Sequence, residues 1–251
     1  MKRRNFNAML SAVPVLAASA TKPAAPLWGK PLYKWQETIL AWSQEFGAMV
    51  AVSTCFESGK TSVLVPGLAL IHVALHPGSQ VVVVSPSEHE RASQAVPAFE
   101  NSVGPHVSMR GNTFYLPSVD GLPESEIIFL SAVHSHDTLE GFSSRVYRDC
   151  RGNERFAPIM VIVDSAQSVS EATYAVLDKI NPLSIMVLLG TSRAPNDSLD
   201  RRVKSPLWKS MTVSWEECPH LLYRPGRRRM MRVLEERGHP ALKSILYGEP
   251  S

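Results

Sequence analysis

Runs of consecutive apolar residues recur along the chain, separated by segments of mixed polarity. Four of these runs do not alternate with polar positions, which is typical of strands buried on both faces of a parallel sheet. They occupy residues 48–53, 80–85, 159–164 and 185–190. Two shorter runs, 113–116 and 127–132, predict further strands.

The segments between these runs have the spacing of amphipathic helices. Apolar residues at Trp35, Ile39, Leu40, Trp42 and Phe46 lie close to one helical stripe, which predicts a helix over 35–46. Further helices are predicted over 62–76, 88–99 and 170–180. Because strands and helices alternate, we expect an α/β fold with a predominantly parallel sheet and helices on both faces.

The two ends of the chain depart from this pattern. We interpret residues 1–31 as a leader, 32–222 as the folded domain and 223–251 as a basic helical tail. In the leader, three basic residues (Lys2, Arg3 and Arg4) precede an apolar run over 8–20, which is the outline of a secretory signal. The alternative is a short helix broken at Pro14. The run is too short to span a bilayer.

Composition narrows the functional classes. The 251 residues include 26 Lys and Arg against 23 Asp and Glu, a net charge of +3, so only a local patch could attract nucleic acid. The three cysteines form no CxxC pair, which argues against a disulfide framework or a structural zinc site and favours a reducing compartment.

One basic cluster stands out in the predicted tail. It begins at Arg224 and continues with Arg227, Arg228, Arg229 and Arg232. Two interpretations are open: the cluster is the solvated face of a surface helix, or its last four arginines contact DNA phosphates.

The strongest chemical signal follows the first strand, where Ser58-Gly59-Lys60-Thr61 leads into a helix. A phosphate-binding loop needs backbone N–H groups directed at the β-phosphate, a lysine for the β and γ oxygens, and a hydroxyl for Mg²⁺. These four residues and Ser62 therefore form a candidate ATP site, with Thr61 as a metal ligand. Thr54 replaces the first glycine of the consensus, so the assignment depends on the strand before the loop and the helix after it. An intracellular ATP site favours the cytoplasm over secretion.

A second signal is the apolar strand that ends at Asp164. An acid beside a phosphate loop holds the water shell of Mg²⁺, although strand-ending aspartates also serve as helix caps. The next position in such ATPases normally carries the glutamate that polarises the attacking water. Here it is Ser165, which cannot accept a proton as a carboxylate does. The candidate replacements are Glu57, Glu140, Asp149 and Gln167.

The strand over 185–190 delivers Thr191 and Ser192 to the same edge of the sheet. Hydroxyl groups at this edge can sense the γ-phosphate and transmit its loss. The alternative is a strand-to-loop turn in which Thr191 is a cap. Arg193, with Arg145 and Arg148, is a candidate for stabilising the transferring phosphoryl group.

In their order along the chain, these motifs resemble the large terminase subunit of tailed bacteriophages. The resemblance covers roughly residues 30–250, and it implies a RecA-like P-loop ATPase of the additional-strand (ASCE) class that packages DNA. The segments that carry it are Tyr33-Lys34-Trp35-Gln36, Ser58 to Thr61, Glu140-Gly141-Phe142, Val161 to Gln167, Gly190-Thr191-Ser192, Gly238-His239-Pro240 and Leu246 to Glu249.

The resemblance also implies roles for single residues. Gln36 would contact adenine, Lys60 the phosphates, Thr61 and Asp164 the Mg²⁺, and Thr191 would couple hydrolysis to movement. The departures from the family pattern are Thr54, Ser165 and Phe56, which stands where the family usually has an arginine. Together they put turnover, more than nucleotide binding, in doubt.

The nuclease half of this family is not expected in the chain. Only 36 residues follow Trp215, whereas an independent domain of that kind needs on the order of 100 or more. The leading expectation is an ATP- and Mg²⁺-dependent motor in the host cytoplasm that translocates double-stranded DNA as a homo-oligomeric ring, without membrane association. Its expected partners are a portal protein, a small terminase subunit and a separate nuclease. The alternatives are a catalytically weak regulatory or assembly subunit of a packaging complex and a superfamily 2 helicase fragment.

Overall fold

The computed structural model describes residues 32–103, 107–118, 121–134, 139, 141–180, 183–222, 232–233, 236 and 246–248. The predicted leader lies outside these residues, as do Glu140 and four of the tail arginines, Arg224, Arg227, Arg228 and Arg229. Of the tail cluster, Arg232 is described, and it is exposed.

Short strands and helices alternate over most of the described residues. The strands are β1 (Met49–Thr54), β2 (Gln80–Ser85), β3 (Ser108–Arg110), β4 (Thr113–Leu116), β5 (Ser125–Ser131), β6 (Arg145–Arg148), β7 (Glu154–Ala157), β8 (Met160–Asp164), β9 (Ile185–Gly190) and β10 (Lys209–Val213). The helices are α1 (Lys34–Trp42), α2 (Val65–Leu75), α3 (Val96–Val103), α4 (Glu171–Leu177), α5 (Ser198–Val203) and α6 (Pro219–Leu222). A π-helical turn, Lys60–Leu64, leads into α2, while the helical turn Glu88–Glu90 and the π turn Arg91–Ala95 lead into α3.

Eight of the described strands form one sheet in the order β10-β1-β9-β8-β2-β5-β4-β3. The six strands from β10 to β5 are parallel, and β4 and β3 continue the sheet antiparallel at one edge. The strand β9 pairs with both β1 and β8. It is therefore the additional strand between the phosphate-loop strand and the acid-bearing strand. The predicted α/β class with a predominantly parallel sheet is confirmed.

Helices cover both faces of this sheet because its central strands are apolar on both faces. On one face α1, α2 and α3 pack through residues such as Ile39, Leu68 and Phe99. On the other face α4 and α5 pack through Tyr174, Leu177 and Leu199. The parallel strands all present their carboxyl ends to one edge, which is where ligands bind in open α/β sheets.

The structure differs from the sequence prediction at the first helix. Helix α1 ends at Trp42 rather than near Phe46, because Ser43 caps it and donates its hydroxyl to the Leu40 carbonyl oxygen at 3.0 Å; the chain then turns through Gly47 at a φ of 71°. Phe46 is 55% exposed and contacts Phe156 and His76 rather than the core. Its place on the apolar stripe is therefore coincidental. In the part of the chain with described structure, no helix has the length and apolarity needed to cross a membrane.

The buried His72 makes stability depend on pH. Its Nε2–H donates to the carbonyl oxygen of Pro158 at 2.9 Å, and burial lowers its pKa from 6.5 to about 3. As the pH falls, His72 binds a proton in the unfolded chain before it does so in the folded protein. The contribution of neutral His72 to the free energy of unfolding is therefore fully present above pH 6.5 and is lost between pH 6.5 and pH 3. We expect His72 alone to remove about 2 kcal/mol of unfolding free energy between pH 7 and pH 5.

Urea unfolding at pH 7, 6 and 5 measures this loss. The variant His72→Gln, whose amide can still donate to Pro158, should flatten the pH dependence, whereas His89→Gln on an exposed turn should leave it unchanged. Equal slopes in wild type and His72→Gln would contradict the prediction.

Candidate functional site

The loop after β1 has the backbone geometry of an anion-binding turn. Gly59 has a φ of 91°, a conformation that favours glycine, and it directly precedes the π turn. Its carbonyl oxygen accepts hydrogen bonds from the N–H groups of Val63 and Leu64, at 3.0 Å and 3.2 Å. The chain thus turns sharply at Gly59, and the helical N-terminus that follows opens at the carboxyl edge of the sheet.

The Lys60 ammonium lies inside this loop. Its Nζ donates to Thr54 Oγ1 at 2.8 Å, to the Cys55 carbonyl oxygen at 3.2 Å and to Thr191 Oγ1 at 3.2 Å. Burial lowers the pKa of Lys60, and the charge of Asp164 opposes that shift. All three ammonium donors are directed at neutral oxygens, so a phosphate oxygen would be a stronger partner for them.

The predicted metal ligands are adjacent. Thr61 Oγ1 donates to Asp164 Oδ2 at 2.7 Å, and the Ser165 N–H donates to Asp164 Oδ1 at 3.0 Å. Burial raises the pKa of Asp164, the bond from Thr61 and the charge of Lys60 oppose this, and Glu90 adds to the rise. A hydroxyl and a carboxylate side by side are hard oxygen donors, which fit Mg²⁺.

Ser165 has a strained backbone, with a φ of 54°. The turn that follows brings Gln167 across to the next strand, where its Oε1 accepts from the Thr191 N–H at 3.0 Å. A Cβ on Gly190 would lie 2.4 Å from that oxygen, so the bond requires glycine there. Gln167 therefore ties the end of β8 to the start of the Thr191 loop.

The phosphate loop, Ser165, Gln167 and Thr191 line one open cavity of about 800 Å³, within the size range of ligand sites. Asp164 does not line this cavity itself but is hydrogen-bonded to Thr61, which does. The predicted site residues on its wall are Ser58, Gly59, Lys60, Thr61, Ser62, Ser165, Thr191 and Arg193. Among the wall residues that were not predicted are Glu90, Gln94 and Ala98. They come from the segment after β2, which carries no motif that sequence reasoning could use.

Gln36 lies beside the loop. Its Oε1 accepts from the Tyr33 N–H at 3.0 Å, and its Nε2 lies 3.5 Å from the position of a Cβ on Gly59. The Gln36 Nε2 is buried, and no described residue accepts its hydrogen bonds. A buried donor without a partner is costly, so this amide is suited to an acceptor on a bound base.

Other candidates lie away from the cavity. Arg145 and Arg148 are on β6 of the separate β6–β7 hairpin, where they pair with Glu126 and Glu154 at 3.7 Å and 3.8 Å. Asp149 lies in the turn of that hairpin and accepts from the backbone N–H groups of residues 151 and 153. These contacts give the three side chains structural roles.

A late segment of the chain reaches the base of the loop. Leu246 is fully buried in the core beneath β1, and the Gly248 carbonyl oxygen accepts from Ser53 Oγ. The same Ser53 oxygen accepts from the Ser192 N–H at 3.1 Å. A Cβ on Gly248 would lie 2.8 Å from the Thr54 carbonyl carbon. Segment 246–248 thus packs directly against the strand that carries the loop.

The chain is similar to known proteins in its structure and not in its sequence. No protein-family model and no curated protein matches the sequence. A point mutant of the large terminase ATPase domain of Thermus phage P74-26 matches with a TM-score of 0.58 and 17% identity, over 90% of this chain and 96% of that chain. The large terminase of a thermophilic bacteriophage matches with a TM-score of 0.66 and 10% identity, over 88% of this chain and 54% of that chain.

The second of these phage proteins has also been solved in complex with ADP and with ATP-γ-S, and these structures match with TM-scores of 0.59 and 0.57. This chain spans about half of its length. The likenesses establish the fold: it is the fold of the ATPase domains of phage large terminases.

Proposed function

We propose that this chain, which has the fold of phage large-terminase ATPase domains, is the ATP-hydrolysing motor subunit of a viral DNA-packaging terminase. The observation that carries the proposal is the convergence of Lys60, the Thr61–Asp164 pair and Thr191 on one cavity at the carboxyl edge of the sheet. Each group is of the type that a bound nucleoside triphosphate requires at that place.

The binding roles follow from the contacts. Lys60 would exchange its three neutral acceptors for phosphate oxygens, and the unpartnered Gln36 Nε2 would donate to the base. Thr61 and Asp164 would hold Mg²⁺, which neutralises charge on the β and γ oxygens when bound. Arg193, on the cavity wall, would face the transferring phosphoryl group.

The coupling role falls to the Thr191 loop. Thr191 contacts Lys60 through its hydroxyl and Gln167 through its N–H, and the next residue, Ser192, bonds to Ser53 beside segment 246–248. Loss of the γ-phosphate would release Lys60 back onto Thr191. This chain of contacts would transmit that change to the rest of the motor.

Duplex DNA, a portal protein and a small terminase subunit are the proposed partners, and a homo-oligomeric ring in the host cytoplasm is the proposed working form. The arginines of the tail, Arg227, Arg228, Arg229 and Arg232, would contact DNA phosphates.

Steady-state ATP hydrolysis with and without DNA tests the proposal. We expect duplex DNA to raise turnover, and single-stranded DNA of equal nucleotide concentration to raise it less. Nucleotide binding without turnover under every DNA condition would exclude the motor and favour the second candidate, a regulatory subunit. The specific observation behind that candidate is Ser165, which leaves no carboxylate directly after Asp164.

A further inference from the structure

One wall of the cavity is formed by residues outside the phosphate loop. Glu90, Gln94 and Ala98 line it from the segment after β2. Strand β2 pairs with β8 in parallel, with Val84 opposite Val163, so Ser85 ends β2 level with Asp164 on β8. The turn that carries Glu90 therefore starts one strand away from the predicted metal ligand.

The turn is built so that its two glutamates point in different directions. Ser87 caps it by accepting from the Glu90 N–H at 3.2 Å. Glu88 is exposed and pairs with Arg91, three residues later. Glu90 is half-buried and lies on the cavity wall. The turn thus directs one carboxylate to a surface ion pair and the other to the cavity.

The alternatives for a proton acceptor are weaker. Ser165 lines the cavity but offers only a hydroxyl. Gln167 has its carbonyl oxygen engaged by the Thr191 N–H, and Asp149 lies in the hairpin turn. Of the two carboxylates on the described cavity wall, Glu57 belongs to the phosphate loop itself, while Glu90 lies on a different element, the turn after β2, and is close enough to Asp164 to raise its pKa. A water attacking the γ-phosphate lies on the far side of that phosphate from the loop.

We propose that Glu90 is the general base of this ATPase, replacing the glutamate that Ser165 does not provide. In this step the water oxygen forms a bond to the γ-phosphorus and the bond from that phosphorus to the β–γ bridging oxygen breaks. The bridging electron pair leaves with ADP, and the water proton passes to the Glu90 carboxylate and then to phosphate or solvent. Water is the co-reactant, and the products are ADP and inorganic phosphate. The inference rests on the proposed function.

Four proteins test it: wild type, Glu90→Gln, Glu88→Gln and the double variant Glu90→Gln with Ser165→Glu. We expect Glu90→Gln to lower kcat about 100-fold or more, the range for loss of a general base. The Kd for a fluorescent ATP analogue and the Tm should stay close to wild type. Glu88→Gln, the matched control on the same turn, should keep the wild-type kcat.

The double variant provides a readout that a merely structural role would not move. It returns a carboxylate to the position after Asp164, so its kcat should be at least about tenfold higher than that of Glu90→Gln. A recovery together with unchanged nucleotide affinity supports Glu90 as the base.

The failures are distinguishable. If wild type hydrolyses ATP and Glu90→Gln does so equally well, the Glu90 inference is overturned while the proposed function stands. If Glu90→Gln loses nucleotide binding and Tm together with turnover, Glu90 is structural and the inference is again overturned. If wild type binds the analogue but never hydrolyses ATP, the motor function fails, and the role of Glu90 as a base fails with it.

Discussion

Replacing Lys60 with alanine is expected to lower ATP turnover by about 10³-fold or more and to weaken nucleotide binding at least about tenfold. The reason is that the Lys60 ammonium donates to oxygens of Thr54, Cys55 and Thr191, and phosphate oxygens would take the place of these acceptors. Turnover and the Kd for a fluorescent ATP analogue measure the two losses separately.

The same variant should fold normally. Because burial lowers the pKa of Lys60, the charged form is held at a cost in the protein, and its removal should not reduce Tm. Lys204→Ala is the matched control, since Lys204 pairs with Asp200 at 2.7 Å on α5, away from the cavity wall. Turnover that survives in Lys60→Ala, or is lost equally in Lys204→Ala, would mean that this cavity is not the ATP site.

The second large effect is expected from Asp164→Asn, which should abolish Mg²⁺-dependent turnover while keeping or raising thermal stability. Burial raises the pKa of Asp164, so its ionised form destabilises the folded protein at neutral pH. An asparagine keeps one oxygen for the Ser165 N–H, and its amide can donate to Thr61 Oγ1. The ion site would lose its charge, but the local hydrogen bonds would persist.

Titration of turnover with Mg²⁺, together with Tm, distinguishes this outcome from unfolding. Asp178→Asn is the control, because Asp178 is an exposed aspartate that pairs with Arg202 at 3.5 Å. A lower Tm in Asp164→Asn, with turnover lost in proportion to folding, would assign Asp164 a structural role instead.

The central strands of the fold were predictable because a strand buried on both faces is an unbroken run of apolar residues in the sequence. The bounds predicted for β2, β4 and β9 agree with the structure, and those for β1 and β8 agree within one residue. The edge strand β10 and the β6–β7 hairpin were missed, since half-exposed strands with polar residues have no such signature. They form because a neighbouring strand or a turn holds them, which is information that the local sequence does not contain.

The candidate site likewise contains residues that the sequence predicts and one that it does not. Lys60, Thr61 and Asp164 were predictable because the phosphate loop follows one buried strand and Asp164 ends another, and the carboxyl ends of parallel strands meet at one edge. Glu90 was not, because its place on the cavity wall depends on β2 lying next to β8 in the sheet. Strand order is a property of the tertiary fold, and one residue in a polar turn does not reveal it.

The contact between Ser53 and Gly248 has a consequence for how the protein is made. The two residues are 195 positions apart, yet they hold the base of the phosphate loop together. At a synthesis rate of roughly 5–20 residues per second, the strand that carries the loop is synthesised about 10–40 s before its partner segment. The phosphate loop is therefore completed late in biosynthesis, and a nascent chain that stops short of Gly248 lacks a finished nucleotide pocket.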